Sequence, residues 1–253
     1  MKFPNALPCV DGVFLQKLPE NILASNESNR VPFMIGVNNH EYGWLMPMSQ
    51  NISGFYEGME KKYIESLLNT HMSTISNGIP LIMDEYFETN DPIEIRNNFL
   101  DLIGDIMFVI PALRTAKYHR DSELPVYFYE FQHRSSMFHD LKPDFVKADH
   151  GDELYFISGG PFLSGDVYIQ GGGTDEEKLL SKIVMRYWAN FARNGDPNGP
   201  GLSEWPKYDE DEDYLEINLE QKSSQRLKDN RLIFWTVTFP EKMKKLKNEP
   251  MDL

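Results

Sequence analysis

The run Val126-Tyr127-Phe128-Tyr129-Glu130-Phe131 constrains this chain more than any other segment. It follows Pro125 and is almost wholly aromatic and β-branched, the residue types that pack on a pleated strand. Helical patterns lie on both sides of it. Phe99, Leu102, Ile103, Ile106 and Ile110 recur at helical spacing within 92–110. Leu180, Ile183, Val184, Tyr187, Trp188 and Phe191 do the same within 175–193. A compact apolar run at 32–37, ended by Asn38-Asn39, predicts a buried strand. Residues 214–219 alternate apolar with polar and predict a strand with one wet face. Strands alternating with long helices predict an α/β architecture. Few strands are visible for so many residues, which suits the second half of an α/β domain better than a complete one.

Weaker signals fill in the rest. Met59, Tyr63, Ile64 and Leu67 predict a helix over 57–68. Residues 1–30 are Pro-rich and polar and predict loop, with a short strand at 12–15. Pro111 is expected to kink or break the helix before it, and Pro240 to break a terminal helix over 229–247. Thr174 or Asp175 can cap the 175–193 helix and Gly195 can end it. Residues 194–201 form a turn-rich loop, and Gly171-Gly172-Gly173 predicts a surface turn. No internal repeat or low-complexity linker separates domains, so one large domain, or a piece of one, is expected.

Composition narrows the partners. The formal net charge of −14 argues against nucleic acid, since phosphate binding needs a basic surface. The one compact basic run, Lys242-Met243-Lys244-Lys245-Leu246-Lys247, suits a helix C-terminal dipole. No stretch approaches the ~18 apolar residues of a membrane span. Cys9 is the single cysteine, so no internal disulfide forms; a reduced compartment or a partner cysteine on another segment both fit. Asn26-Glu27-Ser28 and Asn51-Ile52-Ser53 are glycosylation sequons at Asn26 and Asn51. Met1-Lys2-Phe3-Pro4-Asn5 lacks the apolar core of a signal peptide, so the chain as written is not expected to enter the secretory pathway by itself.

Two segments carry chemistry. Asp149-His150-Gly151 places an imidazole in a glycine-flanked polar loop, the usual seat of a general base. Glu41 follows the 32–37 strand, where an acid can be held rigidly at a strand end. Acid then histidine is the chain order of the α/β-hydrolase triad. Plainer readings stand beside this. A lone loop histidine is ordinarily a solvated one, and a glutamate after a strand a surface charge. Asp149, His150, Asp152 and Glu153 could also be read as metal ligands, though neighbours in sequence converge poorly on one ion. His40, His71, His119, His133 and His139 have no comparable setting and are expected at the surface.

Gly36-Val37-Asn38-Asn39-His40-Glu41-Tyr42-Gly43-Trp44-Leu45 resembles the acid motif of the type-B carboxylesterases, the cholinesterase-like branch of the α/β-hydrolases. Lys147-Ala148-Asp149-His150-Gly151-Asp152-Glu153-Leu154 resembles their histidine motif. Tyr187-Trp188-Ala189-Asn190-Phe191-Ala192-Arg193-Asn194-Gly195-Asp196-Pro197-Asn198 resembles the signature that follows, and Trp205-Pro206, Tyr208 and Tyr214-Leu215 continue in register. The resemblance spans residues 8–240 and is strongest to intestinal-type vertebrate liver carboxylesterases. It implies the C-terminal portion of an α/β-hydrolase fold, part of a mostly parallel sheet flanked by helices. It also implies hydrolysis of carboxylic esters, and of amides or acyl thioesters, by a Ser-Glu-His triad with no cofactor and no metal. Glu41 is then the acid and His150 the base, with Leu45, Met46, Met107 and Phe108 lining the acyl pocket.

The nucleophile is not among the 253 residues. The nearest string to a Gly-x-Ser-x-Gly elbow, Gly201-Leu202-Ser203-Glu204-Trp205, lacks the second glycine and lies after His150. No Gly-rich oxyanion loop precedes Glu41. The expectation is therefore the C-terminal half of an esterase, inactive alone, whose full-length parent takes small ester substrates in the endoplasmic reticulum lumen or outside the cell. The terminal Pro250-Met251-Asp252-Leu253 keeps the final leucine of a His-x-Glu-Leu retrieval tail but lacks its histidine. The alternatives are a non-catalytic remnant and a cholinesterase-like binding module.

Overall fold

The computed structural model describes residues 9–138, 141–163 and 172–248. His139, Gly171 and the terminal Pro250–Leu253 lie outside the described residues. In chain order the elements are α1 (Pro19–Ala24), β1 (Phe33–Asn38), α2 (Leu45–Ser49), α3 (Lys61–His71), α4 (Ile79–Tyr86), α5 (Pro92–Gly104) and α6 (Ile110–Asp121). There follow β2 (Val126–Phe131), α7 (Asp152–Ile157), α8 (Asp175–Asn194), β3 (Asp213–Ile217), β4 (Lys222–Gln225), α9 (Asp229–Ile233) and α10 (Phe239–Asn248). The chain divides into two compact units, 1–39 with 111–227 and 40–110 with 228–253.

The first unit holds the sheet, in the order β1-β2-β3-β4. β1 and β2 pair in parallel from Phe33↔Val126 to Asn38↔Phe131. β2 and β3 pair in parallel through Tyr129↔Leu215, and β4 closes the edge antiparallel to β3. The aromatic run is the inner strand β2, buried at all six positions. Its Tyr127, Tyr129 and Phe131 join Phe156 of α7 and Leu180, Val184 and Tyr187 of α8 in one core. Trp205, on the loop before β3, is the hub of that core. Its indole centroid lies 5.2 Å from Tyr187 and 6.0 Å from Tyr129, both edge-on, and its Nε1 donates to Phe128 O at 2.9 Å. Tyr129 also explains a glycine in β1. A Cβ on Gly36 would fall 2.3 Å from the Tyr129 ring, so only a bare backbone fits opposite it.

Helix α8 forms as its sequence requires. Thr174 Oγ1 accepts from Glu177 N while Glu177 Oε2 accepts from Thr174 N, a reciprocal capping box. Gly195 closes the other end at φ +71, with its N–H on Phe191 O.

Other expectations fail for identifiable reasons. Residues 12–15 are not a strand: Asp11 Oδ1 accepts from the amides of Val13, Phe14 and Leu15 and winds them into a turn. The helix expected from residue 57 starts at Lys61, because Gly58 sits at φ +108, outside helical backbone, while Met59 N bonds Pro92 O at 2.8 Å. Neither Pro111 nor Pro240 ends its helix. Each follows a π turn, Asp105–Val109 before Pro111 and Phe234–Thr238 before Pro240. In both, the residue just ahead of the proline bonds five residues back, Ile110 N to Asp105 O and Phe239 N to Phe234 O. The wider ring takes the i−4 carbonyl out of the path of the pyrrolidine, and the helical path continues into α6 and α10. The basic run lies in α10, with Lys245 and Lys247 in its last turn, as the dipole argument expects. Among the described residues no helix is long and apolar enough to cross a membrane.

Candidate active site

His150 sits at the tip of a turn that is clamped from both sides while its imidazole stays exposed. One clamp is the end of β1. Asn38, buried, donates from Nδ2 to Asp149 O at 2.9 Å and to Glu153 Oε2 at 2.5 Å. Asn39 Oδ1 accepts from Ala148 N at 3.1 Å. The asparagine pair that stops the strand is thus also what holds the histidine loop. The other clamp is a buried ion pair. Asp152 Oδ2 accepts from Asp149 N at 2.8 Å and pairs with Lys142 Nζ; both side chains are almost wholly buried. Asp152 N donates back to Asp149 O at 3.0 Å, so the turn around His150 is bonded from both of its ends. Gly151, at φ +85, supplies the left-handed step that lets α7 start directly after the histidine.

Two of the four residues of the metal reading are thus spent on protein partners, Asp152 on Lys142 and Glu153 on Asn38. Three acidic oxygens do converge elsewhere: Asp209, Asp211 and Asp213 come within 4.8 Å of one another on an open turn. Ser203, the serine of the imperfect elbow string, is exposed on the loop between α8 and β3, with its carbonyl accepting from Tyr187 OH at 2.7 Å. An elbow needs a strand-to-helix turn, and this is the reverse connection.

In the second unit, Glu41 lies on the turn between β1 and α2 and is buried, 6% exposed. Helix α5 covers it: a Cβ on Gly104 would stand 3.5 Å from Glu41 Cβ and from Tyr42 N, ordinary contact distance. Tyr42 pins the same turn, edge-on to Phe99 with ring centroids 6.4 Å apart and its hydroxyl on Gln50 Oε1 at 2.5 Å. Burial pushes that phenol up to about 12. Leu45 is half exposed and Met46 half-buried on the first turn of α2. Met107 and Phe108 are half-buried on the first π turn. Glu41 and these four residues belong to the second unit, His150 to the first.

Several histidines expected at the surface are not there. His119 is buried and stacks on Phe33 with ring centroids 4.5 Å apart, and burial lowers its pKa. His40 is buried at the end of the acid turn. His133 meets Glu177 Oε1 through Nε2 at 3.1 Å. His71 is exposed, as expected. The two sequon asparagines, Asn26 and Asn51, are exposed and both adopt positive φ, +54 and +51. Lys142 carried no signal in sequence; Asn38 and Asn39 showed only as a strand stop and within the acid motif, and Asp152 only as a candidate metal ligand and within the histidine motif.

Residues 2–235 match the carboxylesterase family across most of the chain. The chain belongs to the carboxylesterase family. Carboxylesterase 5A of Canis lupus familiaris is 47% identical over 232 residues, covering 91% of this chain and 40% of that protein. The medium-chain fatty acyl-CoA hydrolase precursor of Anas platyrhynchos is 45% identical, covering 89% and 41%. Liver carboxylesterase 1 of Mus musculus is 42% identical, covering 92% and 41%. The chain thus spans about two fifths of the length of these carboxylesterases. Its partial α/β-hydrolase sheet, three parallel strands and an antiparallel edge flanked by helices, is what that family and that share of its length imply.

Proposed function

We propose that this chain supplies the base and the acid of a serine carboxylesterase whose nucleophile and oxyanion hole lie on sequence outside these 253 residues. His150 is the base and Glu41 the acid that orients and stabilises its imidazolium. The observation that carries this is the His150 turn. A buried ion pair and two strand-end asparagines hold its backbone while the residue itself is exposed. A solvated surface histidine needs none of that, whereas a base must hold its ring in one place to accept a proton repeatedly. Family membership and the share of the relatives' length support the division of the triad. The substrates proposed are carboxylic esters, with amides and acyl thioesters as further members; the relative named as an acyl-CoA hydrolase supports the thioester. Leu45, Met46, Met107 and Phe108 form an apolar acyl wall, which discriminates weakly between chains. No cofactor is needed for this chemistry. Exposed left-handed turns at Asn26 and Asn51 suit glycan attachment, and so a lumenal or secreted parent.

A fluorophosphonate probe tests the reading in the natural source. A labelled species more than twice the mass of this chain, carrying its peptides, is expected; the absence of any such species refutes it. The purified 253-residue chain should hydrolyse esters no faster than its His150→Ala variant. Turnover that His150→Ala abolishes would show that this chain carries its own nucleophile.

A further inference from the structure

The two π turns of the second unit are joined by a run of polar side chains. Asp105, fully buried, opens the first turn, and its Oδ2 accepts from Tyr86 OH at 2.9 Å. Tyr86, 2% exposed on α4, in turn accepts from Trp235 Nε1 at 2.9 Å, and Trp235 belongs to the second π turn. The other carboxylate oxygen, Oδ1, takes Lys228 Nζ at 2.6 Å, from the residue that caps α9. Asp101 stands 3.5 Å from the same ammonium. Arg231 completes the surround, its guanidinium 3.8 Å above the Tyr86 ring and its Nη1 on Glu85 Oε1. Ring packing follows the same path: Phe234 is edge-on to Tyr86 at 6.3 Å and to Trp235 at 5.1 Å.

A π turn is a costly register, one residue more than the α-helix needs, and it persists where surrounding contacts favour it. Proline removes the competing i−4 bond at positions 111 and 240, and each π turn opens six residues before its proline. At the first turn the buried Asp105 carboxylate adds a tertiary anchor. It must keep both Tyr86 and Lys228, since an unpaired buried charge costs far more than a wide helical turn. With Asp105 anchored at the first residue of the turn, Met107 and Phe108 are fixed in rotation about the helix axis. Slipping the turn into α register would rotate them about the helix axis relative to Asp105.

We propose that Asp105, Tyr86 and Trp235 are positioning residues that couple the two π turns, so that the α9–α10 segment sets the register of Met107 and Phe108. This deepens the esterase reading, on which the role of Met107 and Phe108 as an acyl wall rests; the coupling itself does not depend on it. The relay makes the acyl wall a property of two helices rather than one, and predicts that its shape responds to changes at residues 228–240.

Amide hydrogen exchange of the full 253-residue chain tests the coupling without any ester chemistry. Trp235→Phe removes the indole N–H and keeps an aromatic ring, and Tyr86→Phe removes the hydroxyl alone. Loss of one such bond is expected to speed exchange by about fivefold within 105–111 as well as within 234–240. The double variant should add little to either single one. Acceleration confined to 234–240 in Trp235→Phe, or spread equally over all protected amides including those of α8, overturns the proposal. If the fluorophosphonate experiment fails while the exchange is coupled, the wall role falls and the relay stands; coupled failure of exchange removes the relay and leaves the triad reading untouched.

Discussion

Glu177 provides a severe test of how this fold is held. Its side chain is buried, 1% exposed, at the third position of α8. It accepts from Ser136 N at 2.6 Å, Ser136 Oγ at 2.5 Å, Thr174 N at 3.0 Å and His133 Nε2 at 3.1 Å. Burial alone would raise its pKa, but the bonds from His133, Ser136 and Thr174 outweigh it and hold the carboxyl at about 2, against an ordinary 4.5. That depression corresponds to about 3 kcal/mol of folding stability. Because the folded pKa lies below the unfolded one, the stabilisation is complete above pH 4.5 and drains away as pH falls towards 2. Glu177→Gln should therefore lose about 3 kcal/mol at pH 7, since an amide turns one acceptor into a donor facing donors. The deficit should shrink by more than half by about pH 3, where the unfolded wild-type glutamate is itself protonated. Urea unfolding followed by far-ultraviolet circular dichroism, at several pH values, measures both. A deficit below about 1 kcal/mol at pH 7, or one that does not change with pH, would refute the assignment of these bonds to a charged acceptor.

The Lys142–Asp152 pair makes a second prediction: Lys142→Met alone strands a buried carboxylate and should cost about 3–5 kcal/mol, whereas Lys142→Met with Asp152→Leu should recover more than half in the same denaturation assay. Gly195→Ala forces a left-handed φ of +71 on a side chain and sets its Cβ 2.7 Å from the Pro32 ring. A loss of about 2–3 kcal/mol is expected, read as a lower thermal midpoint, and an unchanged midpoint would contradict the cap geometry. Expressed behind a secretion leader, the chain should carry glycans at Asn26 and Asn51, each removed by its own Asn→Gln substitution as a step in gel mobility; a chain that shows no such step contradicts the exposure argument.

Much of this protein could be read from its residues, and the division between what could and could not has a physical origin. Periodicity and composition are local, so the strongly periodic elements declared themselves. The strand β2, the apolar stripe of α8 with its cap at Thr174, and the stop at Gly195 all stand where the pattern puts them. The family motifs around Glu41 and His150 were equally plain. Short or polar elements gave no such signal. Lys222-Ser223-Ser224-Gln225 becomes edge strand β4 only because β3 offers it hydrogen bonds. The fate of each proline was likewise decided at a distance. Its own geometry announces a break, but a π turn absorbs it, and at the first turn Asp105 adds bonds to Tyr86 of α4 and to Lys228, which caps α9. His119 and His133 carry no local mark of burial; Phe33 and Glu177 confer it across long stretches of chain. What the residues determined alone was which faces are apolar, where helices can start and stop, and which side chains bring chemistry. Only the tertiary structure decided what each face meets, and with it the clamp of Asn38, Asn39, Lys142 and Asp152 that holds the His150 turn, because a buried polar group is stable only where a partner from elsewhere in the chain satisfies it.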